Sequence, residues 1–221
     1  MPARATAPTS TTTITEPVSD RRGRDIADRL ATAVQYLLPR RPVSRLAGRI
    51  AASRRPRLKN LLITRFCAAF DVDMGEAAEP DPLRYESFNA FFTRALRDGV
   101  RVFDTDPQAI LSPADGRISE LGTIRHGRLL QAKGRHYSLT ELLGGDAALA
   151  QRFRNGHFIT VYLSPRDYHR VHLCHGGHPL GTREVPGTLF AVKPSAVRCI
   201  PGLFARNART VTAFEGEHGV F

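Results

Sequence analysis

The sequence contains no tryptophan, three cysteines, two methionines, and no acidic side chain between Arg29 and Phe70. Each scarcity narrows what the chain can be. Aromatic residues make up 8%, yet 42% of residues are hydrophobic, so 221 residues suffice to bury a real core. Cys67, Cys174 and Cys199 are odd in number and far apart, which argues against a disulfide framework and for a reducing compartment. No stretch reaches the ~18 uncharged apolar residues of a membrane-spanning helix. The start, Met1-Pro2-Ala3-Arg4 followed by a Thr-rich run, has no apolar core of a secretory signal. A glycine-rich phosphate loop, a Gly-x-Ser-x-Gly elbow and a Cys-x-x-Cys pair are all missing.

What is abundant is positive charge, and it is concentrated. Residues 1–70 carry 14 Lys and Arg against 4 Asp and Glu, which is +10 of the total +11. The remaining residues carry 18 against 17. A segment so basic favours a polyanion, either nucleic acid or an anionic membrane, whereas the near-neutral remainder has another task.

Residues 1–24, rich in Thr, Ala, Pro and Ser at their start, read as a disordered tail. Residues 25–80 read as a basic amphipathic helical segment that associates with a membrane. Ile26, Leu30, Val34 and Leu37 recur at helical spacing up to Pro39. Val43, Leu46 and Ile50 form a second stripe with Arg45 and Arg49 off that face and Ser44 as a candidate cap. Leu58, Leu61, Leu62, Phe66 and Phe70 form a third. Basic amphipathic helices suit a membrane surface; without lipid they suit a helical subdomain with a solvated face. The lack of acids favours the membrane, and no aromatic or glycine-rich recognition motif accompanies the charge to favour nucleic acid.

Residues 71–85 are acidic, contain Pro80 and Pro82, and read as a linker; Ser87 is placed to cap a short helix. Residues 81–221 read as a β-rich catalytic body. There, short apolar runs alternate with turn signals, and His157 to Leu163 is the clearest strand. Ser138 to Leu143, closed by Gly144-Gly145, reads as a short helix. The fold class is α+β, basic helices first and a mostly β body after.

Two clusters stand out chemically. Leu111-Ser112-Pro113-Ala114-Asp115-Gly116 is either an ordinary tight turn or the setting of a catalytic Asp115. Tyr162-Leu163-Ser164-Pro165-Arg166-Asp167-Tyr168-His169-Arg170-Val171-His172 places two His three apart beside Asp, Arg and Tyr. Histidine is the side chain best suited to moving protons near neutral pH. On a helical turn His169 and His172 share a face; on a strand they oppose. His169, His172, His175 and His178 with Cys174 have the spacing of a metal cluster, but Gly176-Gly177 and Pro179 break the helix that would align them, so no metal is expected.

These phrases, with Phe88-Asn89-Ala90-Phe91-Phe92-Thr93-Arg94, Gln131-Ala132-Lys133-Gly134 and Leu203-Phe204-Ala205-Arg206-Asn207, occur in an order that resembles bacterial phosphatidylserine decarboxylases from about Tyr36 onward. The resemblance implies a proenzyme. A Ser in a Leu-Gly-Ser-Thr-like motif attacks the preceding carbonyl with help from an Asp and a His, and a covalent pyruvoyl group is left on a small α chain. By motif position Asp115 and His172 form that self-cleavage relay, and His169 is the candidate proton donor for decarboxylation. The implied chemistry is a Schiff base between the pyruvoyl ketone and the serine amine of phosphatidylserine. CO2 is then lost and phosphatidylethanolamine released. The implied partners are phosphatidylserine, the anionic cytoplasmic face of the cell membrane, to which the enzyme binds peripherally, and the pyruvoyl-bearing α chain.

This sequence departs from the pattern in containing no Leu-Gly-Ser-Thr-like motif. The resemblance therefore implies that the pyruvoyl-forming Ser and the C-terminal strands lie beyond Phe221. The chain alone is then expected neither to process itself nor to decarboxylate. The alternative is a catalytically dead membrane-peripheral lipid-binding protein; retention of Asp115, His169 and His172 speaks against it.

Overall fold

The computed structural model describes residue 28 and residues 32–106, 109–132 and 134–221. The tail expected over 1–24 lies outside them, as do Ile26, Leu30 and Lys133. The class is α+β: helices first, then three small antiparallel sheets with short helices between their strands.

Residues 32–37 are helical and stop before Pro39. Helix α1 (Arg40–Ala51) follows at once, with Pro39 at its N-cap position. Ser44 therefore lies inside α1 and does not cap it. Pro42 falls in the first turn, where its missing N–H has no carbonyl to bond anyway, so the helix begins before it. No residue of α1 is buried: Val43, Leu46 and Ile50 are exposed by 48%, 59% and 37%. Helix α2 (Pro56–Phe70) opens on a proline at its first position and ends at Asp71, whose left-handed φ of 51° stops the helix. It buries Ile63. Its Phe66 ring lies 5.1, 5.9 and 5.8 Å from those of Phe88, Phe91 and Phe92, all on α3 (Phe88–Phe92). Ser87 caps α3 by accepting a hydrogen bond from the Ala90 N–H.

The stretch expected as a linker is tied to the body. Ala77 is buried and bridges to Leu96, the Arg97 N–H donates to the Glu76 carbonyl, and a 3-10 turn spans Pro82–Arg84.

The body starts with β1 (Arg117–Thr123), β2 (Arg128–Ala132) and β3 (Arg135–Ser138). Then come α4 (Leu139–Leu142), capped by Ser138, α5 (Ala147–Arg152), capped by Asp146, and β4 (His157–Tyr162). After these lie β5 (His178–Val185), α6 (Pro194–Cys199), α7 (Leu203–Arg206), β6 (Arg209–Gly216) and β7 (Gly219–Val220). The sheets pair β1 with β4, β2 with β3, and β5 with β6 and β7. One core cluster gathers Ile124, Leu129, Tyr137, Leu139 and Ala150; a second gathers Phe190, Ala196, Ile200 and Leu203. Phe204 packs against both and so joins α7 to each. Gln131 does the same by hydrogen bonding. Its buried amide donates to the Val197 and Ile200 carbonyls at 2.8 and 2.7 Å and accepts from the Leu203 N–H at 3.0 Å.

Candidate functional site

The register of β1 and β4 builds the site. Arg117 pairs with Tyr162, so the turn holding Asp115 enters β1 at the end of the ladder where β4 releases Leu163 and Ser164. The released chain then returns alongside the same turn. The His172 N–H donates to the Pro113 carbonyl, and the Leu111 N–H donates to the Cys174 carbonyl, both at 2.8 Å. Gly116 permits this approach, since a Cβ there would stand 2.5 Å from the Tyr162 carbonyl oxygen. Two clusters whose first members, Leu111 and Tyr162, stand 51 residues apart thus share one end of one sheet.

The His-bearing segment is neither helix nor strand. It opens as a turn in which the Asp167 carboxylate accepts from the Ser164 N–H at 2.6 Å and the Asp167 N–H returns a bond to the Ser164 carbonyl at 3.0 Å. It then runs irregularly to residue 177. His169 has its Nδ1 2.7 Å from the Asp167 carbonyl oxygen. A carbonyl only accepts, so Nδ1 carries a hydrogen and Nε2 is left as the atom for proton exchange. The Phe92 ring lies 4.0 Å from the His169 ring and fixes its plane. The Arg170 Nε donates to the Thr93 carbonyl at 2.9 Å, and Arg94 Nη2 donates to the Arg166 carbonyl at 2.9 Å, so the segment is laced to the end of α3.

Asp115 and His172, the residues paired by the sequence reading, have other partners here. Asp115 Oδ2 accepts from Arg101 Nε at 2.7 Å and lies 2.6 Å from Arg101 Nη2. His172 Nε2 is 3.0 Å from the Tyr168 hydroxyl, with the two rings stacked. Among the described residues no hydrogen bond joins Asp115 to His172. Arg101 also grips Glu76 through Nη1 and Nη2 at 3.0 and 2.8 Å, and this hydrogen bonding holds the Glu76 carboxyl below its ordinary range. Arg101, Glu76 and Arg94 are thus site residues that sequence reasoning passed over. Only Arg94 lay in a quoted motif; Arg101 sits in an unremarkable stretch, and Glu76 lay in what reads as a linker.

Two cavities meet here. A cleft of about 980 Å³ is walled by Asp115, Glu76, Arg94, Arg101, Arg166 and Asp167, among others. A pocket of about 500 Å³, walled by Val161, Leu163, Val192, Val197 and Phe204, holds His169. Tyr162 and Pro194 line both. A charged cleft opening onto an apolar pocket with one exchangeable imidazole suits a substrate with a polar head and a proton to receive. Among the described residues no group of three or more His, Cys, Asp or Glu is placed to hold a metal ion.

A family model described as phosphatidylserine decarboxylase matches residues 88–221, and a second, described as PSD, matches residues 30–71. The phosphatidylserine decarboxylase proenzyme of Bordetella pertussis is 53% identical over 192 residues, 87% of this chain and 65% of its own length. That of Xylella fastidiosa strain M12 is 56% identical over 188 residues, 85% of this chain and 64% of its own. The chain therefore spans about two thirds of the length of these curated relatives.

Proposed function

The chain belongs to the phosphatidylserine decarboxylase family, and from that premise we propose that it is the larger part of an enzyme that converts phosphatidylserine to phosphatidylethanolamine and CO2. The observation that carries the proposal is the meeting of the Asp115 turn with the His169–His172 segment at one end of the β1–β4 ladder. Most of the alternative, a lipid-binding protein without chemistry, is answered by the same meeting: a passive binder has no use for an imidazole fixed between a carbonyl and an aromatic ring.

The family's proenzyme naming supports a pyruvoyl group on a small partner chain. The residues present fit such a group: the His169 pocket is apolar and adjoins the charged cleft, and Nε2 is the ring atom left for exchange. When bound, a pyruvoyl group supplies the electron sink that decarboxylation of an α-amino acid requires. His169 donates a proton from Nε2 to the carbon that loses CO2. The pocket walls keep water from that proton. Asp115 and His172 serve the earlier self-cleavage, in which His172 takes the proton of the attacking Ser hydroxyl and Asp115 steadies the imidazolium. For that step Asp115 must be shared between Arg101 and His172.

The enzyme works as a peripheral protein at the cytoplasmic face of the cell membrane. Support comes from α1, whose apolar stripe is uncovered while Arg41, Arg45 and Arg49 flank it. Among the described residues no helix is long and apolar enough to cross a membrane.

The test is intact mass spectrometry of the protein from its source cells, with CO2 release from phosphatidylserine vesicles measured on the same sample. A small co-purifying chain blocked by a carbonyl at its N-terminus, and CO2 release abolished by borohydride, are expected. A preparation with neither carbonyl-blocked chain nor CO2 release would overturn the proposal.

A further inference from the structure

Arg94 is 4% exposed, and its guanidinium is only half used. Nη2 donates to the Arg166 carbonyl at 2.9 Å, and the Phe91 ring centroid lies 5.4 Å from the guanidinium carbon. Nη1 is buried and has no hydrogen-bond partner among the described residues. A guanidinium keeps its charge and can only donate, so a buried nitrogen of this kind without an acceptor is rare in a folded protein. Arg94 also walls the charged cleft. None of the cleft's carboxylates, Asp71 included, supplies the missing acceptor. Glu76 and Asp115 are taken by Arg101, Asp73 accepts from the Gly75 N–H, and Asp167 accepts from the Ser164 N–H.

We propose that Arg94 is the receptor for the phosphodiester of the substrate headgroup, an assignment that rests on the lipid decarboxylase reading above. The headgroup carries two oxyanions, and the chemistry chooses between them. Loss of CO2 disperses the charge of the serine carboxylate. A guanidinium fixed on that carboxylate would stabilise the reactant more than the transition state and slow the reaction. The phosphodiester keeps its charge throughout, so binding it costs nothing at the chemical step. A diester also presents two oxygens to a planar fork, the geometry at which Arg excels. With the phosphate in the cleft at Arg94, the carboxylate can lie across the shared walls, Tyr162 and Pro194, in the apolar pocket beside His169. The one cation in that pocket's wall, Arg198, is already paired with Asp28 at 2.5 Å, so the carboxylate has no free cation there to lose on leaving.

The experiment titrates the 221-residue chain with glycerophosphoethanolamine, glycerophosphoserine, inorganic phosphate and free serine, read by calorimetry and by NMR of arginine side chains. The two glycerophospho compounds are expected to bind alike. Inorganic phosphate should bind about tenfold more weakly and serine not measurably, and Arg94→Gln should weaken glycerophosphoethanolamine about tenfold or more. Arg94→Lys, which keeps the charge and loses the fork, should fall between. Serine binding as tightly as glycerophosphoethanolamine would make the site a carboxylate site, and equal binding of inorganic phosphate would make it a free-phosphate site. Either overturns the assignment on the wild-type chain alone, whatever the variants do. Wild-type affinity in a folded Arg94→Gln would overturn it as well. CO2 release is measured separately, so failure here leaves the decarboxylase reading standing, and failure there leaves this titration intact.

Discussion

Arg101 approaches one carboxylate oxygen of Asp115 from two nitrogens, Nε at 2.7 Å and Nη2 at 2.6 Å, while its Nη1–Nη2 edge holds Glu76. One guanidinium therefore fastens the turn before β1 to the segment that follows α2. The Glu76 carboxyl is held below its ordinary 4.5, first by its hydrogen bonds to Arg101 and then by Arg101's charge. Burial opposes this and is outweighed. A carboxyl with a lowered folded pKa binds its proton less readily folded than unfolded. Its contribution is complete above pH 4.5 and drains away as pH falls through the folded value. Arg101→Gln should therefore lower stability above pH 4.5 and converge on the wild type in stronger acid. About a third to two fifths of each side chain is in water, so the difference should be about 1 kcal/mol or less. Urea denaturation at a series of pH values checks it; a difference that grows as pH falls would contradict the assignment.

Much of the local structure around this clamp was legible in the sequence. Ser87 does cap α3, the short helix expected from Ser138 is α4, and the run expected as a strand from His157 is β4, ending at Tyr162. Those readings succeed because a cap or an alternating strand depends on residues a few positions apart. Ser44 misled because a capping residue and a helix-interior serine look alike until the start is located. The Arg101 clamp was invisible for another reason. It joins residues 25 and 14 positions apart, and charge composition does not say which of 32 cations meets which carboxylate. The irregular course of 163–177 was equally hidden, since beyond the Ser164–Asp167 turn its backbone bonds go to Leu111 and Pro113 and not to neighbours in sequence.

His169 and His172 should separate by function in the two-chain enzyme proposed above. His169→Gln should leave both chains formed and lower turnover on phosphatidylserine by about 10²–10⁴-fold, the usual contribution of a positioned general acid. His172→Gln should leave a single unprocessed chain. Phe92→Ala removes the ring 4.0 Å from His169 without touching an ionisable group, so it should lower turnover and leave processing unchanged. Gel mobility and CO2 release from one set of preparations read both effects. Loss of processing in His169→Gln would exchange the two roles.

Gln131 makes a prediction about the pocket wall and about pH together. Gln131→Leu strands the Leu203 N–H and two carbonyls, a loss of about 2–4 kcal/mol from hydrogen bonds that bury polar groups. Q131E keeps the acceptor for the Leu203 N–H but sets a carboxylate against the Val197 and Ile200 carbonyls at 2.8 and 2.7 Å. Ionisation is then unfavourable in the folded state, and the folded pKa is raised above the unfolded one. The variant should be least stable at neutral pH and recover as pH falls, opposite in sign to the Glu76 effect. Melting curves at pH 7 and pH 5 decide it, and a variant that loses stability on acidification would show that the carbonyls do not face the substituted group.

The uncovered stripe of α1 gives the last prediction. Val43, Leu46 and Ile50 lie on a helix that buries nothing, so replacing them costs the fold little. Leu46→Glu should leave the urea midpoint within error of the wild type and reduce sedimentation with vesicles containing phosphatidylserine. It removes apolar area from the interface and adds a negative charge at an anionic surface. Replacing Arg41, Arg45 and Arg49 together by Gln should weaken the same binding by about 3 kcal/mol, at roughly 1 kcal/mol for each basic side chain near such a surface. The wild-type interaction should weaken as salt rises, because screening shortens the reach of those charges, while the apolar part persists. If Leu46→Glu binds vesicles like the wild type, the exposed stripe is not the membrane contact. If it instead lowers the unfolding free energy by several kcal/mol, the stripe is covered by another part of the protein, and the basic helices belong to the body of the fold.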